Sequence, residues 1–372
     1  MSAPYDYQAL YLHIPFCAAR CFYCDFETIA LSKDDPLLDN YTKDLLEEIQ
    51  SASQDGLLAG IKTVYIGGGT PTFIGSRRLI EVVDTVSSCV SLNSDIEFTV
   101  EANPESLSRV IMHDLAAKGV NRISLGVQSF DTHELEALGR IHDEKMARSA
   151  IQNARDSIEN VSIDLMCGIP LQTDTSWLQT LEVAISSGVT HVSVYPLTIE
   201  EKTPFGRSID EGLMAIPDED DQAEFMEVAA EMLLHAGFER YEVASYAQAG
   251  YECKHNIAYW TGLPYLGLGK GAAGMREHGD TRERLVNGEV VETFGPQEAL
   301  LEDIMLGMRM SRGVALGLVK QAGAFAPRLL DTFEELIALG LARYEDGRYR
   351  PTSRGWLLGN ELYGRIWANQ AP

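Results

Sequence analysis

Between Tyr7 and about residue 240 the chain alternates short β-branched runs with longer amphipathic stretches, the order of repeated βα units around a parallel sheet. The runs are QALYLHI, KTVYIGG, IEFTVEA, NRISLGVQ, VSIDLMCG and THVSVYPL, each nearly continuously apolar as strands covered on both faces should be. Apolar residues at helical spacing mark LLDNYTKDLLEEIQSA, SRRLIEVVDTVSSCV, ESLSRVIMHDLAAKG and TSWLQTLEVAISSG between them, and Gly closes two of these. Six strands predict an α/β fold, either an open barrel or a doubly wound sheet.

Beyond Gly250 the alternation stops. A helix is predicted from Gln297 to Met310, and the stretch from Arg328 to Leu362 reads as helix, strand, turn, strand, helix, the order of a winged helix. At 372 residues the chain exceeds one ordinary core, so a main domain over 1–240, a connecting segment over 241–295 and a smaller domain over 296–372 are expected. A formal net charge of −25 would repel a phosphate backbone, so nucleic acid is not an expected partner. The start, MSAPYDYQALYLHIPFC, lacks a basic secretory leader, and no stretch approaches the roughly 18 apolar residues of a membrane span. A cytoplasmic location is therefore expected, where six cysteines read as metal-binding, catalytic or buried rather than disulfide-paired.

Three of those cysteines, Cys17, Cys21 and Cys24, follow the first strand with the spacing C-x3-C-x2-C. Soft thiolates in one loop suit zinc or an iron-sulfur cluster. Zinc would need a fourth ligand, and His13 lies inside the strand while Asp25 is the other candidate. A [4Fe-4S] cluster held by three cysteines keeps one iron open to a cofactor. Gly67 to Thr70, Glu101, Gln128 and Asp164 follow other strand ends, the edge where such sheets bind ligands. Turn and helix-cap roles are the alternative for them. Arg140 could grip a carboxylate or pair with Glu136 four residues earlier. Cys89 and Cys167 read as small buried hydrophobes, whereas Cys253, two residues before His255, could be either ligand or core.

HIPFCAARCFYCDF resembles the signature of the radical S-adenosylmethionine superfamily, in which the open iron is chelated by S-adenosylmethionine. GGGTPTF, VEANPE, NRISLGVQSFDTHELEALGRIH, SIDLMCGIP and YECKHNIAYW are similar to the oxygen-independent coproporphyrinogen III dehydrogenase family, and most to its branch of HemW-type haem chaperones. The resemblance implies a partial (β/α)6 barrel carrying a [4Fe-4S] cluster on the three cysteines. It implies that Tyr11, Gly68 and Glu101 touch one S-adenosylmethionine, while residues matching Tyr23, Gly69, Thr70, Gln128, Arg140 and Asp164 touch a second one in the dehydrogenase. For the chaperone branch it implies haem as partner, His255 of HNIAYW as axial ligand, and a haem-acceptor protein that could sit at a membrane; a hydrogen-bonded core or surface role is the alternative for His255, and Tyr259 and Trp260 could pack on the macrocycle or as ordinary aromatics. The other implied activities are decarboxylation of coproporphyrinogen III and a related methyl transfer. Against the dehydrogenase stand Phe26, where that enzyme has a further cysteine, and only about ten residues before the first strand. Lys270 and Ala273 stand where many chaperones have Pro and His.

Overall fold

The computed structural model describes residues 5–90, 95–214 and 218–369. Its first half contains β1 (Ala9–Ile14), the two-residue strands β2 (Phe16–Cys17) and β3 (Ile29–Ala30), and then β4 (Thr63–Gly68), β5 (Glu97–Ala102), β6 (Arg122–Gln128), β7 (Asn160–Cys167) and β8 (His191–Pro196). The six longer strands are parallel and hydrogen-bond in the order β1-β4-β5-β6-β7-β8, with helices in the connections. All six runs read from the sequence form these strands.

Alternation of side chains explains how the barrel wall is built. One set, including Leu10, Leu12, Val64, Ile66, Phe98, Val100, Ile123, Leu125, Val161, Ile163, Val192 and Val194, joins Leu38, Leu45, Val82, Leu115 and Trp177 of the covering helices in one buried core. The intervening set is polar: Tyr11 and His13, Thr63 and Tyr65, Glu97, Thr99 and Glu101, Arg122 and Ser124, Ser162 and Asp164, His191, Ser193 and Tyr195. Many of these line cavities or bond across the interior. The strands are therefore not uniformly apolar as two-sided burial suggested, because their inner faces carry a site.

The sheet does not close. β8 continues through β10 (Ser245–Ala247) to β9 (Glu239–Arg240), both antiparallel. β1 takes β11 (Tyr265–Leu268) as a parallel neighbour, followed by an antiparallel ribbon of β12 (Ala273–His278), β13 (Thr281–Val286) and β14 (Glu289–Phe294). Residues 241–295, read above as a connection, thus extend the main sheet at both edges. The C-terminal unit has its own core around Leu329, Phe333, Leu336 and Leu362. Its three-stranded sheet runs β15 (Val314–Ala315), β17 (Arg348–Pro351), β16 (Ala342–Glu345), with helices before and after the β16–β17 hairpin. No helix among the described residues is long and apolar enough to cross a membrane.

Candidate functional site

The cysteine loop is fixed at both ends by short-range chemistry. Cys17 sits in β2, which pairs with β3, and the Leu31 N–H donates to the Cys17 carbonyl at 3.1 Å. In the middle, the Phe22 N–H donates to the Leu138 carbonyl and the Phe22 carbonyl accepts from Phe205, each at 3.0 Å. The loop folds over the strand ends and forms one wall of a cavity. Cys17, Cys21, Cys24, Tyr23, Gly68, Gly69, Thr70, Glu101, Gln128, Arg140 and Asp164 all line it.

Two glycines make that approach possible. A Cβ on Gly69 would come within 2.7 Å of the Phe16 carbonyl oxygen and 3.0 Å of the Cys17 sulfur. Gly68 has φ +116°, and a Cβ there would meet the His13 ring at 2.7 Å. At the end of β6 a bulge between Gly126 and Gln128 and a φ of 68° at Gln128 bring that side chain to the cavity.

The donor set fits a cluster. Among the described residues no three His, Cys, Asp or Glu side chains gather closely enough for a single metal ion. Three thiols around one cavity suit a polynuclear group, in which each sulfur takes a different iron. Thr70 donates to the Cys17 sulfur at 3.4 Å and Arg140 to the Cys21 sulfur at 3.5 Å, the kind of support that tunes such ligands. Burial pushes the Cys17 thiol up to about 11 and raises Cys24 as well, a cost that a cationic metal core would offset. A bound [4Fe-4S] cluster would supply an iron open to one further ligand.

Arg140 turns inward instead of pairing with Glu136, donating to the Asn103 side-chain oxygen at 2.9 Å and to the Gly126 carbonyl. Asn103 in turn donates to the Thr70 hydroxyl at 2.9 Å. Glu101 accepts from the Tyr65 hydroxyl at 2.6 Å and the Gly68 N–H at 3.2 Å, yet burial pushes its carboxyl up to about 7. Burial likewise raises Asp164 to about 6. The cavity can thus offer acceptors of variable protonation beside a fixed cation.

Tyr11 and His255 do not line this cavity. They share a second, aromatic one with His13, Tyr65, Tyr259, Trp260 and Tyr265, and Glu101 and Tyr195 line both. His255 belongs to the short helix Lys254–Trp260, whose first N–H groups, of Lys254 and His255, donate to the Glu97 carboxylate at 2.9 and 3.0 Å. Its ring is 1% exposed, stacks on Tyr65 at 4.9 Å and bonds Thr63 through Nδ1 and Tyr259 through Nε2, both at 2.9 Å. Burial, with the Arg122 charge adding to it, lowers the imidazole to about 3, so it is neutral at ordinary pH. His255 is therefore packed against β4. Trp260 meets the C-terminal unit, with the Arg309 guanidinium 5.0 Å from its ring. Cys253 packs with Tyr241 and Ala247, its sulfur 3.5 Å from Glu97, while Cys167 lies in the main core and Cys89 at its margin. Ala273 leaves no imidazole where it lines the aromatic cavity.

Sequence reasoning missed Asn103, Tyr65 and Tyr195. Asn103 shares the parity of Glu101 and Tyr65 that of Gly67, while Tyr195 ends the series His191, Ser193, Tyr195 on a strand from which no residue was singled out; polar residues at every second position were the available signal.

A model of the radical SAM superfamily matches residues 11–184, and one of the HemN C-terminal domain matches 295–358. The solved structure of coproporphyrinogen III oxidase (HemN) from Escherichia coli shares the fold, with a TM-score of 0.81 at 20% identity over 98% of this chain and 90% of that one. The haem chaperone HemW of Bacillus subtilis is 34% identical over 96% of this chain and 98% of its own. That of Escherichia coli is 38% identical over 74% and 71%. The mitochondrial radical S-adenosyl methionine domain-containing protein 1 of Bos taurus is 34% identical over 90% and 72%. With the cysteine loop on a six-stranded parallel wall and similarity to the Bacillus subtilis haem chaperone HemW over nearly the whole of both chains, the chain belongs to the HemW family of radical SAM proteins.

Proposed function

We propose that the chain binds haem as cargo in the aromatic cavity and passes it to an acceptor protein, the activity that the name haem chaperone gives to its relatives. The observation that carries the reading is His255, a neutral imidazole in a cavity walled by Tyr11, Tyr65, Tyr259 and Trp260. Neutral imidazole is a haem ligand, and aromatic faces suit a flat apolar macrocycle. The Thr63 hydroxyl, accepting from Nδ1, would keep the lone pair on Nε2, and the Tyr259 phenol would give way to iron. Cys17, Cys21 and Cys24 would hold the cluster. Tyr23, Gly68, Gly69, Thr70, Glu101, Gln128, Arg140 and Asp164 would surround S-adenosylmethionine, with Tyr11 reaching that side only across Glu101. The reading puts the chain in the cytoplasm, and the acceptor would decide whether it works beside a membrane.

Phe26, 67% exposed at the cavity mouth, brings no thiol there, which counts against coproporphyrinogen chemistry. Anaerobically reconstituted protein given S-adenosylmethionine and coproporphyrinogen III should form no protoporphyrinogen. Turnover at the usual enzymatic rate of roughly 1 per second or faster would overturn the chaperone reading in favour of the enzyme.

A further inference from the structure

Tyr65 belongs to neither the cysteine loop nor the HNIAYW helix, yet it contacts the key residue of each cavity. Its hydroxyl donates to Glu101 at 2.6 Å, and its ring stacks on His255 with centroids 4.9 Å apart and planes 28° from parallel. The second Glu101 oxygen accepts from the Gly68 N–H on the cysteine side. On its other side the His255 ring meets Tyr259, which bonds Nε2 and packs edge-on at 4.8 Å. A carboxylate, a phenol, an imidazole and a second phenol thus run in unbroken contact from one cavity into the other.

Resting on the haem-chaperone reading, we propose that Tyr65 is a positioning residue that couples the cavities, so that a ligand donating hydroxyl protons to Glu101 makes His255 more available to haem iron. The ligand class is a ribose-bearing cofactor, S-adenosylmethionine in this family. Each Glu101 oxygen accepts one bond and keeps a second acceptor site, so a vicinal hydroxyl entering the cavity would share Oε1 with the Tyr65 phenol and weaken the phenol's bond by drawing on the same charge. Weakening that bond frees the Tyr65 ring to tilt. In a close-packed interior the imidazole stacked on it shifts too, and its bond to Tyr259 is the contact that yields. Coupling of this kind is reciprocal, so haem tightens the cofactor by the factor that the cofactor tightens haem.

The test is haem titration of the reconstituted protein with and without S-adenosylmethionine, in the parent and in Tyr65→Phe, which loses only the hydroxyl. In the parent, the cofactor should lower the haem dissociation constant about 5-fold or more, the lower end of ordinary coupling. In Tyr65→Phe, with cluster absorbance retained, that factor should fall to near one. An unchanged haem affinity in the parent, or the same factor in the variant, overturns the coupling and leaves the haem site standing. Haem-free protein gives an independent reading by 15N-histidine NMR. S-adenosylmethionine should move the His255 Nε2 resonance in the parent but not in Tyr65→Phe, and a resonance that stays put in the parent overturns the coupling even if haem does not bind.

Discussion

Cys17, Cys21 and Cys24 reach one cavity from one loop and are the three thiols that line it, so a cluster there has none to spare. Anaerobic reconstitution should give about four iron and four sulfide per chain, and Ala at all three positions should abolish the cluster. Cys89→Ala, at the margin of the main core, should leave it intact. Zinc in place of iron, or cluster retained in the triple variant, would refute the assignment. Glu101 adds a pH test. Its folded value of about 7 stands above the unfolded carboxyl value of about 4.3. The folded state therefore binds more protons between these values, and the stability linked to Glu101 falls as pH rises through them. Glu101→Gln has no such titration. Urea denaturation without ligands should show the variant gaining on the parent from about pH 5 to about pH 7 and levelling above. A difference that does not change with pH would mean that Glu101 is ionised throughout. The cysteines, Glu101, Gln128, Arg140 and Asp164 were legible because each belongs to a recognisable motif, although Glu101, Gln128 and Asp164 lie within β5, β6 and β7 and not beyond the strand ends as the sequence suggested. Tyr65 was not, since a tyrosine inside an apolar run reads as core until the inward parity is known.

The helix Lys254–Trp260 has only seven residues, and Cys253 before it provides no side-chain cap. The Glu97 carboxylate supplies that role from the start of β5, joining the candidate haem ligand to the sheet. Glu97→Ala should cost about 1.5–3 kcal/mol, as for hydrogen bonds to a charged group, and weaken haem binding while cluster content stays unchanged. Hydrogen exchange should speed up over residues 253–260. Protection there equal to the parent would contradict the capping role. Among the elements, the six parallel strands were readable from their apolar runs, whereas the β11–β14 extension was not. The four-residue β11 is too short to stand out, and β12 to β14 carry Arg276, Glu283, Arg284 and Glu292 in cross-strand ion pairs, so no long apolar run announces them. One signal was present: Asn287 and Gly288, with φ of 53° and 76°, join β13 to β14 in a two-residue turn of the favoured hairpin type.

On the scale of the whole molecule, the C-terminal unit is fastened beside the aromatic cavity. Arg309 lies between Trp260 and Tyr363, with the guanidinium 5.0 and 4.6 Å from the two rings. Arg282 of β13 pairs at 2.8 Å with Glu302 on the first helix of that unit, both nearly buried. These contacts join elements far apart in sequence, so the sequence could indicate a winged-helix-like unit but not where it docks. The resulting arrangement gives a cluster cavity and an aromatic cavity that share Glu101 and Tyr195 in their walls. Anaerobic titration followed at the Soret band decides whether the aromatic cavity takes haem through His255. The parent should bind one haem per chain. His255→Ala should bind about 10- to 100-fold more weakly with a displaced Soret band and unchanged iron-sulfur absorbance, because the axial bond goes while the aromatic walls remain. An unaltered band and affinity in the variant would rule out His255 as the axial ligand, and no haem bound by the parent would rule out the haem site itself.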